Sequence, residues 1–394
     1  MTGFDALDDF ASAALATLSA RQERRALAAT RMGPAQKAER DGREMTAFCT
    51  NDYLGLAQDP RVKAAAAAAI QTYGAGAGAS RLVSGDHPAL GALERRIAAW
   101  KKTGSALVFG SGYLANIGTI PAVAGEGDLI LIDERAHACQ IAGAKLSKAS
   151  VVPFRHNDMQ DLARRLDRLR GEARQCLIVT EGVFSMDGDL SPLPALIGLA
   201  KAHRAWTMVD DAHGLGVVGG GRGSAAEWGV APDIQMGTLS KAAGSYGGYI
   251  AASAPVVDFL VSKAKSFVFA TGLPPACAAA ADKALEIMET EPGRCERPLA
   301  LAKMFCAGTG LPEPASPIVP IVFGEANRAL AASQALAREG FLCPAIRPPT
   351  VPEGTARLRV TFAADHDPAD VTRLAATLRP LLTGAPGTQP RDLR

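Results

Sequence analysis

Five short apolar runs, separated by stretches long enough for helices, constrain this chain more than any other feature. They are SALVF (105–109), DLILID (128–133), SVVPF (150–154), CLIVTE (176–181) and WTMVD (206–210). Between them lie segments such as DLARRLDRLR (161–170) and LPALIGLAKAHR (193–204), which have helix length. Runs that are apolar throughout are buried on both faces, and alternation of strand with helix joins such strands in parallel. The expected fold class is therefore α/β: a large domain built on a mostly parallel sheet covered by helices, with a smaller α+β C-terminal domain. Sheets of this kind bind ligands at the carboxyl ends of their strands, so polar residues just beyond each run are where chemistry is sought first.

The flanking segments read less sharply. Residues 5–30 resemble a polar helix rich in Ala and Arg that needs something to dock on. Asp59-Pro60 followed by RVKAAAAAAIQTY reads as N-cap, first-turn proline and helix, closed by Gly74. Residues 290–325 are richer in Pro and Gly and weak in periodicity, which suggests a linker. The expected division is an N-terminal helix and arm over 1–50, a large domain over 51–290 and a small domain over 291–394, which the length of 394 residues accommodates. GAPGTQPRDLR (384–394) reads as a loose tail.

Charge and cysteine usage exclude several classes. The formal net charge is +2, so no general attraction to nucleic acid or to an anionic membrane is expected, and any anion site must be local. Seven scattered cysteines without a CxxC pair argue against a disulfide framework or a structural zinc site, and no metal is expected. The start, MTGFDALDDF, lacks the basic and apolar regions of a signal peptide. Thr103 to Gly125 carries no charge, but Gly110, Ser111, Gly112, Asn116, Gly118 and Pro121 interrupt it, so it reads as strand, turn and helix instead of a membrane span. A cytoplasmic enzyme is the expectation.

Five strand ends carry polar groups. WTMVDDAHGLG (206–216) ends a strand in Asp210 and Asp211, with His213 close behind. A carboxylate there can keep a heteroaromatic nitrogen protonated as an electron sink, and the His can bond a ring oxygen. A helix-capping Asp and a surface His explain the same pattern about as well. DIQMGTLSKAAG (233–244) places Lys241 among Ser240, Ala242, Ala243 and Gly244, the open surroundings a Schiff-base lysine requires. Alone, Lys241 reads as a solvated lysine; paired with Asp210 on a neighbouring strand it reads as functional. Thr238 and Ser240 are possible phosphate ligands. VFGSGYLANIG (108–118) forms a strand, a glycine turn and a helix whose first N–H groups, at Ser111, Gly112 and Tyr113, can cradle an anion. TEGVFSMDGD (180–189) brings Glu181 and Ser185 to the same sheet edge, and DERAHACQ (133–140) brings His137. YGAGAGASR (73–81) lacks the features of a nucleotide loop and reads as a flexible loop.

Together these residues resemble the α-oxoamine synthases, a branch of the fold-type-I enzymes that use pyridoxal 5′-phosphate (PLP). The resemblance runs through NDYLGL (51–56), SRLVSG (80–85), GYLAN (112–116), VTEGVFSMDGDLSPL (179–193), MVDDAHG (208–214), TLSKAAG (238–244) and AIRPPTVPEGTARLRVTFAADH (345–366). It implies Lys241 as the cofactor lysine and catalytic base, Asp210 as partner of the pyridine nitrogen and His137 as the stacking residue. It further implies His213 and Ser185 on the phenolic oxygen, and Gly112, Tyr113 and Thr238 on the phosphate. Thr271, in FATGLPP, would reach the phosphate from a partner subunit, which implies a homodimer. Arg359, with Asn51 and Glu181, would receive the amino-acid carboxylate, and Arg347 would shape the acyl end. The AIRPPTVPEGTARLR stretch points to the branch that condenses L-alanine with a pimeloyl thioester, on coenzyme A or acyl carrier protein, in biotin biosynthesis. Glycine acetyltransfer, 5-aminolevulinate synthesis and sphingoid-base synthesis are the family alternatives; a catalytically silent partner subunit and a nucleotide-binding protein are rivals of other classes. Ala79 stands where the family's loop has Gly, and Leu90-Gly91 replaces its His-Glu. Arg25 and Arg31 are both possible contacts for the acyl substrate.

Overall fold

The chain is represented by a computed structural model that describes residues 6–21 and 23–382; the tail read at 384–394 lies outside them. Its centre is a seven-stranded sheet. In chain order, after the N-terminal strands β1 (Arg31–Met32), β2 (Lys37–Arg40) and β3 (Arg43–Ala47), the sheet uses β4 (Ser105–Phe109), β5 (Leu129–Asp133), β6 (Ser150–Phe154), β7 (Cys176–Glu181), β8 (Trp206–Asp210), β9 (Ile234–Thr238) and β10 (Gly248–Ala252). The strands lie side by side as β4-β10-β9-β8-β7-β5-β6. Strands β6, β5, β7, β8 and β9 pair in parallel, whereas β10 runs antiparallel to both β9 and β4. All five apolar runs appear as strands, as does the segment before Lys241 at β9; the antiparallel GYIAA strand at β10 is the addition.

Burial on both faces explains why these strands are apolar throughout. One face packs on a cluster containing Ile130, Ile132, Leu177, Val179, Met208 and Met236, the other on one containing Leu129, Leu131, Ile178 and Val209. The helix Pro60–Tyr73 forms as its sequence dictates. Asp59 accepts a hydrogen bond from the Arg61 N–H, Pro60 opens the first turn and Gly74, with φ of 86°, ends the helix. Among the described residues no helix is long and apolar enough to cross a membrane. The 103–125 segment forms β4 and the helix Gly112–Val123, with Pro121 inside its last turn.

Two of the flanking expectations need correction. Residues 290–325 do not form a linker. An 18-residue helix, Pro292–Thr309, follows the helix Pro275–Thr290 almost directly, and the strand β11 (Ile318–Gly324) comes next. Its prolines sit in the first turn and at Pro298, and Leu301, Ala302, Phe305 and Cys306 supply a buried face that local composition concealed. The N-terminal helix covers only Leu7–Ala20 and buries no residue against the rest of the chain. Residues 31–47 form strands that pair with another part of the chain. The β3 strand pairs in parallel with β12 (Phe341–Leu342), so the N-terminal segment joins the C-terminal unit. That unit also contains β13 (Ala345–Ile346) and β14 (Ala356–Thr361), in a sheet ordered β11-β14-β13.

Candidate active site

Register alone gathers the expected residues. Glu181 and Asp210 are the last residues of neighbouring parallel strands and lie directly opposite each other, with Asp210 opposite Met236 on the next strand. His137 follows β5 by four residues and caps the helix Ala138–Leu146, its Nδ1 accepting from the Cys139 backbone N–H. Lys241 lies three residues past β9. Around these ends is a cavity of about 160 Å3, lined by Ser111, Gly112, Tyr113, His137, Cys139, Glu181, Asp210, Ala212, His213, Met236, Thr238, Ser240 and Lys241.

One end of the cavity suits an anion. The Ser111 side chain accepts from the Leu114 N–H at 3.1 Å, fixing the start of a 12-residue helix whose first residues, Gly112 and Tyr113, line the site. Gly112 has no substitute there: a Cβ would lie 2.4 Å from Thr238 Cγ2 and 2.8 Å from Met236 Cε. Lys241 Nζ lies 3.4 Å from Thr238 Oγ1, which ties the amine to the same end.

The other end is a buried polar cluster. Asp210 accepts from Asn116 Nδ2 at 2.8 Å and from the Ala212 N–H at 3.0 Å. Glu181 accepts from the Ser185 N–H at 3.1 Å through Oε2, while its buried Oε1 has no hydrogen-bond partner. Burial, reinforced by Asp210, raises the Glu181 carboxyl well above its usual range and so favours its neutral form. Burial also pushes the Asp210 carboxyl up, against the pull of Lys241 and the Asn116 hydrogen bond. It pushes the Lys241 amine down, against Asp210 and Glu181. His213 is held well below its ordinary value by burial and by the cations Lys241 and Arg359. Its Nδ1 lies 2.7 Å from the Tyr53 hydroxyl, which in turn accepts from Arg359 Nη2 at 3.0 Å. The hydroxyl proton can go to His213 Nδ1 or to Asn51 Oδ1 at 3.3 Å, but Arg359 Nη2, which can only donate, also lies 3.4 Å from His213 Nδ1, so Nδ1 accepts and the ring's own proton sits on Nε2.

Several expected residues stand behind this lining. Arg359 is buried and donates to Asn51 Oδ1 at 3.0 Å, to Tyr53 and to the Ser185 carbonyl. Asn51, Ser185 and Arg359 thus form one hydrogen-bonded group beside Glu181 and His213. Arg347 and Thr271 do not line the cavity. Thr271 is exposed and bridges to Ser80, so its expected contact requires a second chain. Of the two N-terminal arginines, Arg25 donates to Thr350 at 2.8 Å, three residues beyond Arg347, whereas Arg31 pairs with Glu39. Tyr53, Asn116 and Cys139 join the site without having stood out in the sequence. Asn116 lies one helical turn beyond Gly112 and Cys139 two residues beyond His137, and that spacing is the available signal.

The fold and site are those of a PLP-dependent enzyme of fold type I, and the chain belongs to the class I and II aminotransferase family, whose profile matches residues 43–378. Within that broad family its relatives are acyltransferases. It is 59% identical to an 8-amino-7-oxononanoate synthase of Methylorubrum extorquens, over 95% of this chain and 96% of that one. A serine palmitoyltransferase variant from S. paucimobilis, solved with a bound PLP–myriocin aldimine, superposes with a TM-score of 0.90 at 30% identity, covering 97% of this chain and 99% of that one. An 8-amino-7-oxononanoate synthase from Francisella tularensis superposes at 0.73 with 25% identity, covering 86% and 98%. The residues present fit the cofactor. A buried carboxylate, a lysine amine, a helix N-terminus and the unpaired Glu181 Oε1 converge on one cavity.

Proposed function

We propose that this enzyme condenses L-alanine with a pimeloyl thioester, releasing CO2 and the free thiol and forming 8-amino-7-oxononanoate for biotin biosynthesis. The observation that carries this reading is the 59% identity, over nearly the whole of both chains, to a relative bearing that name.

In this reading Lys241 holds PLP, with Ser111, Gly112, Tyr113 and Thr238 at its phosphate and Asp210 at its ring nitrogen. Ser185 and His213 serve the phenolic oxygen, and His137 covers the ring face. When bound, PLP supplies the sink for the electron pair left at Cα. The other steps belong to the chain. Lys241 takes the Cα proton and returns it, and burial, by pushing its amine down, favours the neutral form that this task needs. The His213 Nε2 proton is free to donate to an oxygen because Nδ1 is engaged by Tyr53. Arg359 receives the amino-acid carboxylate, already oriented by Asn51, Tyr53 and the Ser185 carbonyl. Glu181 lies beside it, and burial, by favouring its neutral form, lessens its repulsion of that carboxylate. Arg25, bonded to Thr350, and Arg347 together offer positive charge for the far carboxylate of the acyl chain. The active unit is a homodimer in which Thr271 of each chain serves the other's phosphate.

A second reading has one observation in its favour: the closer superposition on a serine palmitoyltransferase, at 0.90 against 0.73. The deciding experiment compares kcat/KM for alanine, glycine and serine with pimeloyl, acetyl, succinyl and palmitoyl thioesters, with products identified by mass spectrometry. Alanine with pimeloyl as the best pair is expected. Serine with palmitoyl, or glycine with acetyl, as the best pair would overturn the assignment.

A further inference from the structure

At the cavity wall a chain of hydrogen bonds links two residues proposed to meet the cofactor. Asn116 Nδ2 donates to Asp210 Oδ2 at 2.8 Å and to Cys139 Sγ at 3.1 Å. Cys139 Sγ in turn lies 2.8 Å from His137 Nδ1. The direction of each bond follows from what each group can do. His137 Nδ1 already accepts from the Cys139 backbone N–H at 3.2 Å, and a backbone N–H can only donate, so Nδ1 carries no proton. The thiol must then present its S–H to Nδ1, which leaves the sulfur lone pairs to accept from Asn116. Burial raises the Cys139 thiol to about 12, so the S–H is present throughout the working pH range. Asp210, Asn116 and Cys139 are all buried, so water does not compete for these bonds.

We propose that Asn116 and Cys139 are positioning residues that tie Asp210 to His137 and hold His137 as the neutral imidazole with its proton on Nε2. Neither has been given a role in the reaction above. Asn116 fixes the rotamer of the Asp210 carboxylate. Cys139 keeps His137 from turning over and from gaining a second proton. The charged and titratable groups facing His137 are Asp210, which favours its cation, and Lys241, which opposes it; His213 and Glu181 line the same cavity. Loss of the S–H donor removes a bond made only to the neutral ring, so protonation becomes easier.

The inference rests on reading this cavity as the cofactor site. Its main readout needs neither substrate nor turnover, so its failure is distinct from failure of the alanine–pimeloyl assignment. The test is nitrogen NMR of 15N-histidine-labelled holoenzyme across pH, with His137 assigned by loss of its signals in His137→Gln. Wild type is expected to show an unprotonated Nδ1 and a protonated Nε2. In Cys139→Ala the His137 titration midpoint should rise by about 0.5–1 unit, the size of one hydrogen bond to the neutral form. The kcat should fall about 3- to 10-fold with KM for the amino acid nearly unchanged, as one hydrogen bond implies. Cys139→Ser, which can donate and accept at the same two places, should restore the midpoint. A protonated Nδ1 in wild type overturns the proposal outright, whether or not any variant folds. An unmoved midpoint in Cys139→Ala does so as well, as does a serine variant that behaves like the alanine one, since Cys139 would then only fill space.

Discussion

Asp210 and Asp211 are adjacent in sequence, yet the structure gives them opposite tasks, and replacing Asp211 separates the two. Asp211 points away from the cavity to Lys101, with Nζ–Oδ2 at 3.1 Å and side-chain exposures of only 1% for Lys101 and 2% for Asp211. Its carboxylate also accepts from the Ser224 N–H at 3.0 and 3.1 Å, and Lys101 donates in addition to the Arg222 carbonyl. Gly182, Gly214 and Gly223 close around the carboxylate so tightly that a Cβ on any of them would lie within 2.5 Å of one of its oxygens. In Asp211→Ala a buried ammonium loses its counter-charge, which costs about 3–5 kcal/mol, and a buried N–H is left unpaired, which adds about 1–3 kcal/mol. The glycine backbones cannot collapse into the space, so the loss should fall in the upper part of that range. The assay is the urea midpoint of the purified holoenzyme, read by fluorescence and by circular dichroism. The double variant Lys101→Met/Asp211→Leu should recover much of the loss, because no charge is then left unpaired. An Asp211→Ala protein within about 1 kcal/mol of wild type would refute the reasoning, since no buried pair could then be at stake.

Other substitutions test the site itself. Asp210→Ala should lower kcat at least about 100-fold, equivalent to about 2.7 kcal/mol of barrier, while its urea midpoint moves far less than that of Asp211→Ala. Steady-state rates within threefold of wild type would reduce Asp210 to a local cap of the Ala212 N–H. Lys241→Ala should remain folded and lose turnover; substantial activity without added amine would remove Lys241 from its role. His156 supplies a pH test. Burial opposes its protonation, but Asp133 and Asp189, at 3.1 and 2.7 Å, outweigh burial and raise it from 6.5 to about 9. A raised value means that the stabilisation is complete below about pH 6.5 and is lost as pH climbs through 9, on the order of 3 kcal/mol in all. Denaturation midpoints of wild type and His156→Gln should therefore differ most at pH 6 and converge above pH 9.5; a constant gap would count against the pairing.

How much of this was legible in the sequence follows from how local each cue is. A strand that is buried on both faces must be apolar along its whole length, so β5, β7 and β8 announced themselves, and polar residues at or within four positions of their ends (His137, Glu181 and Asp210) line the cavity. The GYIAA strand did not, because Gly248 and two alanines look like a turn unless the antiparallel neighbours on either side are known. The helix Pro292–Thr309 was hidden for a similar reason. Proline in a first turn is favourable, and the buried face that holds the helix in place comes from the C-terminal unit.

The site shows the same division, with a chemical reason behind it. Residues proposed to meet a ligand directly need an unusual side chain near a strand end, and Lys241, Asp210, Glu181 and His137 stand out for that reason. Residues that orient them need only one donor and one acceptor, which Tyr53, Asn116 and Cys139 supply from ordinary loop and helix positions far away in sequence. Tyr53 is 160 residues from His213, and Asn116 is 94 from Asp210. Within a buried site each such bond matters more than on the surface, because an unpaired partner has no water to turn to. The Asp210–Asp211 doublet makes the point in two adjacent residues. Alternation along an extended chain turns their side chains to opposite sides, one towards the cavity and one towards Lys101. No property of the DD pair itself says which is which; only the placement of Asn116 on one side and Lys101 on the other decides it.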